Sequence, residues 1–331
     1  MTALDNVELQ AVPARRVDVW TRPRFLGAFA AAVALGLLAP ALLGPFGVLV
    51  AAEALIFGLF ALSYDLLVGR AGLVSFGHAA FFGGGGYAAA VSLMYLGASM
   101  WLGLLLAVVL SVVLAVIVGV VSIRTTGIYF SILTLAFAEV LYRFVFHFEH
   151  LGGSDGLIGL KRPPLSLFGF QLSLESNVTY YYFVLALLVL VLAAVVLVVR
   201  SPFGHALVAM RENEGRLPFL GFNTKLLKIT VFCMSAGIAG LAGGLYAIFK
   251  GFAAPEQLFF IISGEVIVMA LIGGMGTLLG AVLGGVILTV FTEIVSGWTE
   301  SYNIFVGILF IFVVIFKSDG LFGFLGERKR P

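Results

Sequence analysis

Charge is what this sequence has least of. Only 11% of its 331 residues are Asp, Glu, Lys or Arg, against about a quarter in soluble domains, while 61% are hydrophobic. No soluble fold of this length hides so much apolar surface, so the chain reads as a polytopic membrane protein. There is a single cysteine, Cys233, inside an apolar run. That excludes a disulfide framework, and a lone thiol there reads as a small buried hydrophobe. A working phosphate loop is also missing. The nearest stretch, Gly72 to Ala79, has the G-x-x-x-x-G spacing, but His78 stands where a lysine would grip phosphate and Ala79 where Ser or Thr would hold Mg²⁺. Any work done across a membrane must therefore draw on ATP hydrolysed by another chain, or on an ion gradient. No Ser/His/Asp or Cys/His arrangement stands out. His147, Glu149, His150 and Asp155 cluster in a polar loop without a standard zinc spacing, and read as solvated. The formal charge of +2 is spread over short loops and leaves no nucleic-acid footprint. Catalytic, metal and cofactor sites are not expected in this chain.

What is present is a succession of apolar runs, each near the roughly 20 residues a spanning helix needs. Residues 1–24 read as a soluble tail, because no apolar run directly follows a short basic region as in a secretory signal. Spans are expected at Phe25–Leu43, Val48–Val68, 72–97, Trp101–Ile123, Gly127–Phe146, Val178–Val199, Ile229–Phe249, 260–275, Thr277–Val295 and Ile304–Phe316. In the third, Gly83 to Gly86 weaken a plain helix at about 1 kcal/mol each, so an irregular or very closely packed section is expected. The eighth is short, either a tilted span or a re-entrant piece. With ten crossings, Arg15, Arg16, Arg22, Arg24, Arg70, Arg124, Arg200, Arg211, Arg216, Lys225, Lys228, Lys317, Arg328, Lys329 and Arg330 share one side, and Arg143, Lys161, Arg162 and Lys250 the other. That asymmetry places the first set and both termini in the cytoplasm. Each half carries a Gly-rich stretch before an apolar helix, as an internal duplication would, although Gly-rich helices are also common in membranes generally.

Carboxylates inside apolar runs are functional candidates by default. Glu139 and Arg143 are spaced to pair on one helix. Asp65 and Glu293 fall near helix ends, where snorkelling suffices. Glu53 and Glu265 have no basic residue within a helical turn, and either line a water-filled path or bond neighbouring helices. The turn Gly152 to Gly156, with Ser154 and Asp155 at its tip, faces outward and is a candidate contact for an external partner.

The one long polar segment is Arg200 to Lys228. Behind Ser201-Pro202, Phe203, Leu207 and Met210 share one helical face, Arg211 and Glu214 lie on the polar side, and Gly215 and Pro218 stop the helix. A second amphipathic stretch follows, Leu217 to Leu227. Composition leaves two readings open: a helix lying on lipid headgroups, or a short helix inserting into a cytoplasmic motor protein.

Several stretches, in order, resemble the LivH/LivM-type permeases of branched-chain amino-acid ABC transporters, and more closely the LivM kind. They are GRAGLVSFGHAAFFGGGGYAAA (69–90), RTTGIYFSILTLAFAEV (124–140), GGSDGL (152–157), SPFGHALVAMRENE (201–214), SAGIAGLAGGLYAIFKGFAAPE (235–256) and LIGGMGTLLGAVLG (271–284). The resemblance implies an all-α transmembrane bundle of the type II ABC-importer permease kind, with a permease domain over 25–317 and cytoplasmic tails at 1–24 and 318–331. It implies an inner-membrane importer subunit for branched-chain amino acids, with related permeases carrying urea, short amides or aromatic acids. It implies a second LivH-type permease, two cytoplasmic ATPase chains that bind the ATP and Mg²⁺, and an external binding protein. The cytoplasmic coupling element lands on Ser201, Pro202, Phe203, Gly204, Leu207, Met210, Arg211, Glu212 and Glu214. Gly215, Arg216 and Pro218 depart from the family's Ala-rich continuation, so a shorter helix is expected. Candidates for the translocation path are Glu53, Ser75, His78, Glu139 and Glu265. The competing class is an ion-coupled secondary transporter working through Glu53, Glu265 or Glu139.

Overall fold

The computed structural model describes residues 23–167, 170–299, 301–317 and 319–323. Residues 1–22 of the expected tail and most of 318–331 lie outside them, while residues 23–24 of that tail already belong to the first helix. Eleven α-helices are seen among the described residues: α1 (Pro23–Leu42), α2 (Pro45–Asp65), α3 (His78–Tyr95), α4 (Met100–Ser122), α5 (Ile128–His147), α6 (Asn177–Arg200), α7 (Pro202–Glu212), α8 (Thr224–Lys250), α9 (Phe260–Gly273), α10 (Leu279–Ser296) and α11 (Tyr302–Phe316). Six helical stretches are long and apolar enough to cross a membrane: Pro45–Arg70, Met100–Ser122, Ile128–His147, Asn177–Arg200, Thr224–Lys250 and Leu279–Ser296. Among the described residues the only strands form two small antiparallel pairs. Strand β1 (Leu157–Ile158) pairs with β4 (Phe252–Ala253), and β2 (Leu165–Leu167) with β3 (Phe170–Leu172).

Helices α2 and α8 form the antiparallel centre. Ser235 in the first half of α8 donates to the Ser63 carbonyl near the end of α2 at 2.6 Å, and Lys250 at the end of α8 reaches Glu53 in the first half of α2 at 2.7 Å. The packing around them repeats: α4 lies on α8 as α10 lies on α2, and α3 packs on α4 as α9 packs on α10. This exchange is what an internal duplication produces, and it carries more weight than the Gly-rich composition of the halves.

The third expected span is discontinuous. Residues 72–77 are irregular, with Gly72 at φ 72, and α3 begins only at His78, whose Nε2 lies 2.9 Å from Ser63 Oγ and 3.4 Å from Ser235 Oγ. The irregular section thus falls before the glycines, not at them. Gly83 to Gly86 are helical and buried. They serve close packing: a Cβ on Gly85 would collide with the backbone of Gly240 on α8, and one on Gly243 of α8 with the Phe82 carbonyl. Removing side chains there lets two backbones approach within helix-packing distance. The ninth helix is likewise preceded by an extended stretch and a 3-10 turn, Pro255–Leu258. The two interrupted segments meet where the Ala79 amide donates to Ser263 Oγ at 2.8 Å.

The loop after α5 folds over one end of the bundle. Arg162 donates to the Phe249 carbonyl at 2.9 Å and to Asn177 Oδ1 at 2.8 Å, and its guanidinium sits 4.8 Å over the Tyr180 ring. Burial lowers its pKa from the ordinary arginine range, though a guanidinium stays charged.

The polar segment Arg200 to Lys228 is shorter than its composition suggests. Helix α8 starts at Thr224, capped by Asn223, whose Oδ1 accepts from the Leu226 amide at 3.1 Å. Lys225 and Lys228 therefore belong to a helix and not to a loop. An Asn immediately before a helical run is a favoured N-cap. Lys250, expected in a loop, is the last residue of α8.

Candidate functional site

The site that ties most of the chain together lies where α7 meets the end of α2. Ser201 and Pro202 turn the chain sharply after α6, with Pro202 at the first helical turn, where its missing N–H costs nothing. Ser201 Oγ donates to the Val198 carbonyl at 2.6 Å. The corner is tight enough that any Cβ on Gly204 would strike the Val199 carbonyl. Leu207 and Met210 are buried and Phe203 half-buried. Their face packs on α6, α8 and the turn after α2. The apolar side of α7 is thus used within the chain.

Arg211 leaves that face and donates from Nη1 to the Gly69 carbonyl at 2.5 Å. Gly69 belongs to a π-helical turn, Leu66–Arg70, that prolongs α2. From the same turn, Arg70 Nη2 donates to the Gly276 carbonyl at 2.8 Å. Asp65, fully buried, accepts from the amides of Gly276 at 2.5 Å and Leu278 at 2.8 Å. These amides lie in the loop that leads into α10, so the carboxylate holds that loop from another helix, near a helix N-terminus where negative charge is favoured. The sequence suggests snorkelling for Asp65; instead it is enclosed, because its two amide donors satisfy it inside the protein. Leu278 has φ 54, the one non-glycine residue with positive φ among the described residues. Such a residue persists only where surroundings hold it, and Asp65 is what holds it. The chain after α11 joins the same place, with the Leu321 amide donating to the Ile272 carbonyl at 2.8 Å and that of Phe322 to Gly273 at 3.2 Å. One Arg side chain on α7 is therefore two hydrogen bonds away from the start of α10.

The remaining residues of the coupling segment diverge. Helix α7 ends at Glu212, which is exposed, as is Pro202. Glu214 is not on α7 but opens a 3-10 turn, Glu214–Leu220, that runs through Gly215 and Pro218. It pairs with Lys228 of α8 at 2.7 Å, the lysine side chain being 4% exposed. The second amphipathic stretch is thus this turn plus the first turn of α8.

The path candidates are dispersed. Glu53 bonds a neighbouring helix through Lys250 at 2.7 Å, the second of the two roles named for it. Glu139 pairs with Arg143 at 2.8 Å, as the spacing suggests. Ser75 is buried and its Oγ accepts from the Gly77 amide at 3.3 Å. His78 is buried among the rings of Phe60, Tyr64 and Phe81. Glu265 is half-buried on α9. Ser154 and Asp155 are exposed at the tip of their turn and bonded to each other at 3.2 Å. In the sequence Asp65 is a candidate set aside as snorkelling, and Arg70 and Lys228 mark only which side faces the cytoplasm. Asp65 and Arg70 bond residues more than two hundred positions away, and no local spacing signals that.

An apolar helical body with an interrupted span, and an amphipathic helix fixed to one end of it, has the form of a transporter's membrane subunit. Residues 46–314 match the family described as "Branched-chain amino acid transport system / permease component", and the chain belongs to it. It is 28% identical over 292 residues to the high-affinity branched-chain amino acid transport system permease protein LivM of Escherichia coli (strain K12), covering 82% of this chain and 69% of that protein. It is 30% identical to LivM of Salmonella typhimurium over the same shares. LivH of Salmonella typhimurium is 30% identical over 125 residues, 37% of this chain and 40% of that one. No solved structure matches the chain. The chain is an integral membrane permease.

Proposed function

We propose that this chain is the LivM-type permease subunit of an ATP-driven importer of branched-chain amino acids in a bacterial inner membrane. Ten helices cross, all except α7, with both termini in the cytoplasm. A second, LivH-type permease stands beside it, two cytoplasmic ATPase chains bind ATP and Mg²⁺, and an external receptor delivers the substrate. The chain itself performs no catalysis.

One observation carries the coupling role: α7 is seated on the membrane body and bonded by Arg211 to the turn that also holds the start of α10. A helix so attached passes a push from a bound motor into two membrane helices rather than bending away. Among described residues, Arg70, Arg124, Arg200, Arg211, Arg216, Lys225, Lys228 and Lys317 lie toward this end, and Arg143, Lys161, Arg162 and Lys250 toward the other, which favours a cytoplasmic α7. The turn bearing Ser154 and Asp155 then faces the receptor. Ion coupling has less support, because two of its three candidate carboxylates, Glu53 and Glu139, are already paired with cations.

The test is leucine uptake into proteoliposomes holding the complete complex. ATP alone should drive it, with no ion gradient. Uptake that needs a gradient and ignores ATP refutes the assignment.

A further inference from the structure

The irregular stretch before α3 ends on a buried histidine whose proton can be located. His78, Ser63 and Ser235 are all fully buried. His78 Nε2 lies 2.9 Å from Ser63 Oγ on α2 and 3.4 Å from Ser235 Oγ on α8. The far sides of the two hydroxyls decide which group donates. Ser63 Oγ is 2.6 Å from the Phe60 carbonyl, and Ser235 Oγ is 2.6 Å from the Ser63 carbonyl. A carbonyl oxygen only accepts, so each hydroxyl proton is already used there. Both hydroxyls therefore turn lone pairs toward the imidazole, and Nε2 is the nitrogen that carries hydrogen. In a neutral imidazole the hydrogen bonds made by the ring set which nitrogen is protonated.

The other edge of the ring agrees. Nδ1 has no hydrogen-bond partner among the described residues. It stands among aromatic rings: Phe60 is stacked with the imidazole at 5.6 Å between centroids, and Tyr64 and Phe81 meet it at steep angles at 5.3 and 5.8 Å. The Tyr64 hydroxyl is also without a partner, so it does not bond Nδ1. The opposite tautomer would set a bare Nε2 against two hydroxyl oxygens and bury an Nδ1 hydrogen with no acceptor, an arrangement that folded interiors avoid.

The place of this proton gives it a mechanical role. Helix α3 has no side-chain cap of its own, since Gly77 precedes it. Its first turn is held by other helices instead, the Ala79 amide by Ser263 of α9 and the His78 ring by α2 and α8. Helices α3 and α8 are already pressed together through Gly85 and Gly243. What His78 adds is α2. Ser63 lies on the stretch Pro45–Arg70, which also carries Gly69, the residue bonded to Arg211 of α7.

We propose that His78 is a positioning residue for transport: a neutral imidazole held as the Nε2–H tautomer, whose one proton, shared by Ser63 and Ser235, fixes α2 against the α3–α8 pair. It acts through the two serines and not by touching substrate. The role in transport rests on the permease reading above; the tautomer does not.

The experiment compares His78→Gln with His78→Asn in the complete complex in lipid, with uptake scaled to folded complex. The glutamine amide nitrogen stands as many bonds from Cα as Nε2 does, and its two hydrogens can serve both serines. The asparagine nitrogen takes the place of Nδ1 and leaves both serines without their donor. ATP-driven leucine uptake should stay within about twofold of wild type in His78→Gln and fall about tenfold in His78→Asn, the factor that one stranded buried hydrogen bond costs. Equal uptake by the two variants, or more by His78→Asn, overturns the proposal. Nitrogen-15 NMR of the wild-type complex with labelled histidine reads the tautomer itself, the His78 signal being the one missing from a folded Gln, Asn or Phe variant. A protonated Nε2 beside a bare Nδ1 is expected, and a protonated Nδ1 overturns the proposal whatever the uptake. A wild-type complex that imports nothing with ATP counts against the permease reading instead, and the spectrum still judges the tautomer.

Discussion

Replacing Asp65 with alanine tests the join between α2 and α10. The carboxylate is fully buried and accepts from the Gly276 and Leu278 amides. Alanine leaves the buried Leu278 donor and the part-buried Gly276 donor unsatisfied, at about 1–3 kcal/mol for a buried one, so the loop should loosen by at least about 2 kcal/mol. It also removes what holds Leu278 at positive φ, and relaxation of that residue is the easiest response. Even the lower bound raises local opening about 30-fold, since 1.4 kcal/mol is a factor of ten. Hydrogen exchange read by mass spectrometry on the purified complex should show that increase for peptides covering residues 276–282, with α4 and α6 unchanged. Asp65→Asn keeps one accepting oxygen but turns an NH₂ toward the other amide, so its effect should be intermediate. Glu293→Gln, at the far end of α10, should leave these peptides alone. Folded Asp65→Ala protein that exchanges as the wild type does across 276–282 refutes the claim that Asp65 holds the loop before α10.

Other consequences are open to measurement. Glu53→Gln or Lys250→Met alone should cost about 1.5–3 kcal/mol by removing a charged hydrogen bond from a part-buried site, and the double variant should be closer to wild type than either; additive losses in detergent unfolding midpoints would mean that the 2.7 Å pair is not coupled. Gly243→Ala should abolish folded yield by forcing α3 from α8, whereas Gly264→Ala, with open space at the Cβ position, should be tolerated; equal yields by size-exclusion chromatography would contradict the close-packing account. Arg211→Ala should reduce leucine uptake more than fivefold while ATP hydrolysis by the complex continues, with Arg211→Lys partly restoring it; full uptake by Arg211→Ala removes the link from α7 to Gly69.

Most helices could be read from the sequence because lipid imposes long apolar runs. The expected limits of α5, α6 and α11 fall within two residues of those observed, since Gly127, Asn177 and Lys317 punctuate them. The start of α8 was displaced because Lys225 and Lys228 look like loop residues. Their charges are accommodated differently: Lys228 is buried against Glu214, and Lys225 is exposed on the first turn. Four consecutive glycines suggested an irregular or very closely packed section in the third span, and close packing is what they provide, since α3 runs straight through them. Glycine's weak propensity yields when the missing side chains admit another backbone, here that of α8. The candidate site was legible only in part. Leu207, Met210 and Arg211 follow from periodicity, but the partners of Asp65, Arg70 and Glu53 lie near the other end of the chain.

The burial of α7 decides what a motor protein can grasp. Its apolar residues are already committed, with Leu207 and Met210 enclosed. That leaves Pro202, His205 and Glu212 facing out on the helix, and beyond it Phe219, 91% exposed, and Leu220. On the proposed reading, contact with the ATPase is thus made by a mixed polar surface and two apolar side chains of the following turn, not by the amphipathic face that first marked the segment. The same burial limits how α7 can move. Sliding along its own axis would break the Gly204 corner and the Arg211 bond together, whereas tilting as one piece with the end of α6 keeps both. A tilt carries Gly69 with it, and through Asp65 and Arg70 the loop that begins α10. Because α10 lies along α2, the cheapest response is for the two to rotate as a pair against α8, whose contacts with α2 include only single polar bonds at Ser63 and Glu53. Breaking the Glu53–Lys250 bond should therefore ease this rotation even as it destabilises the resting fold.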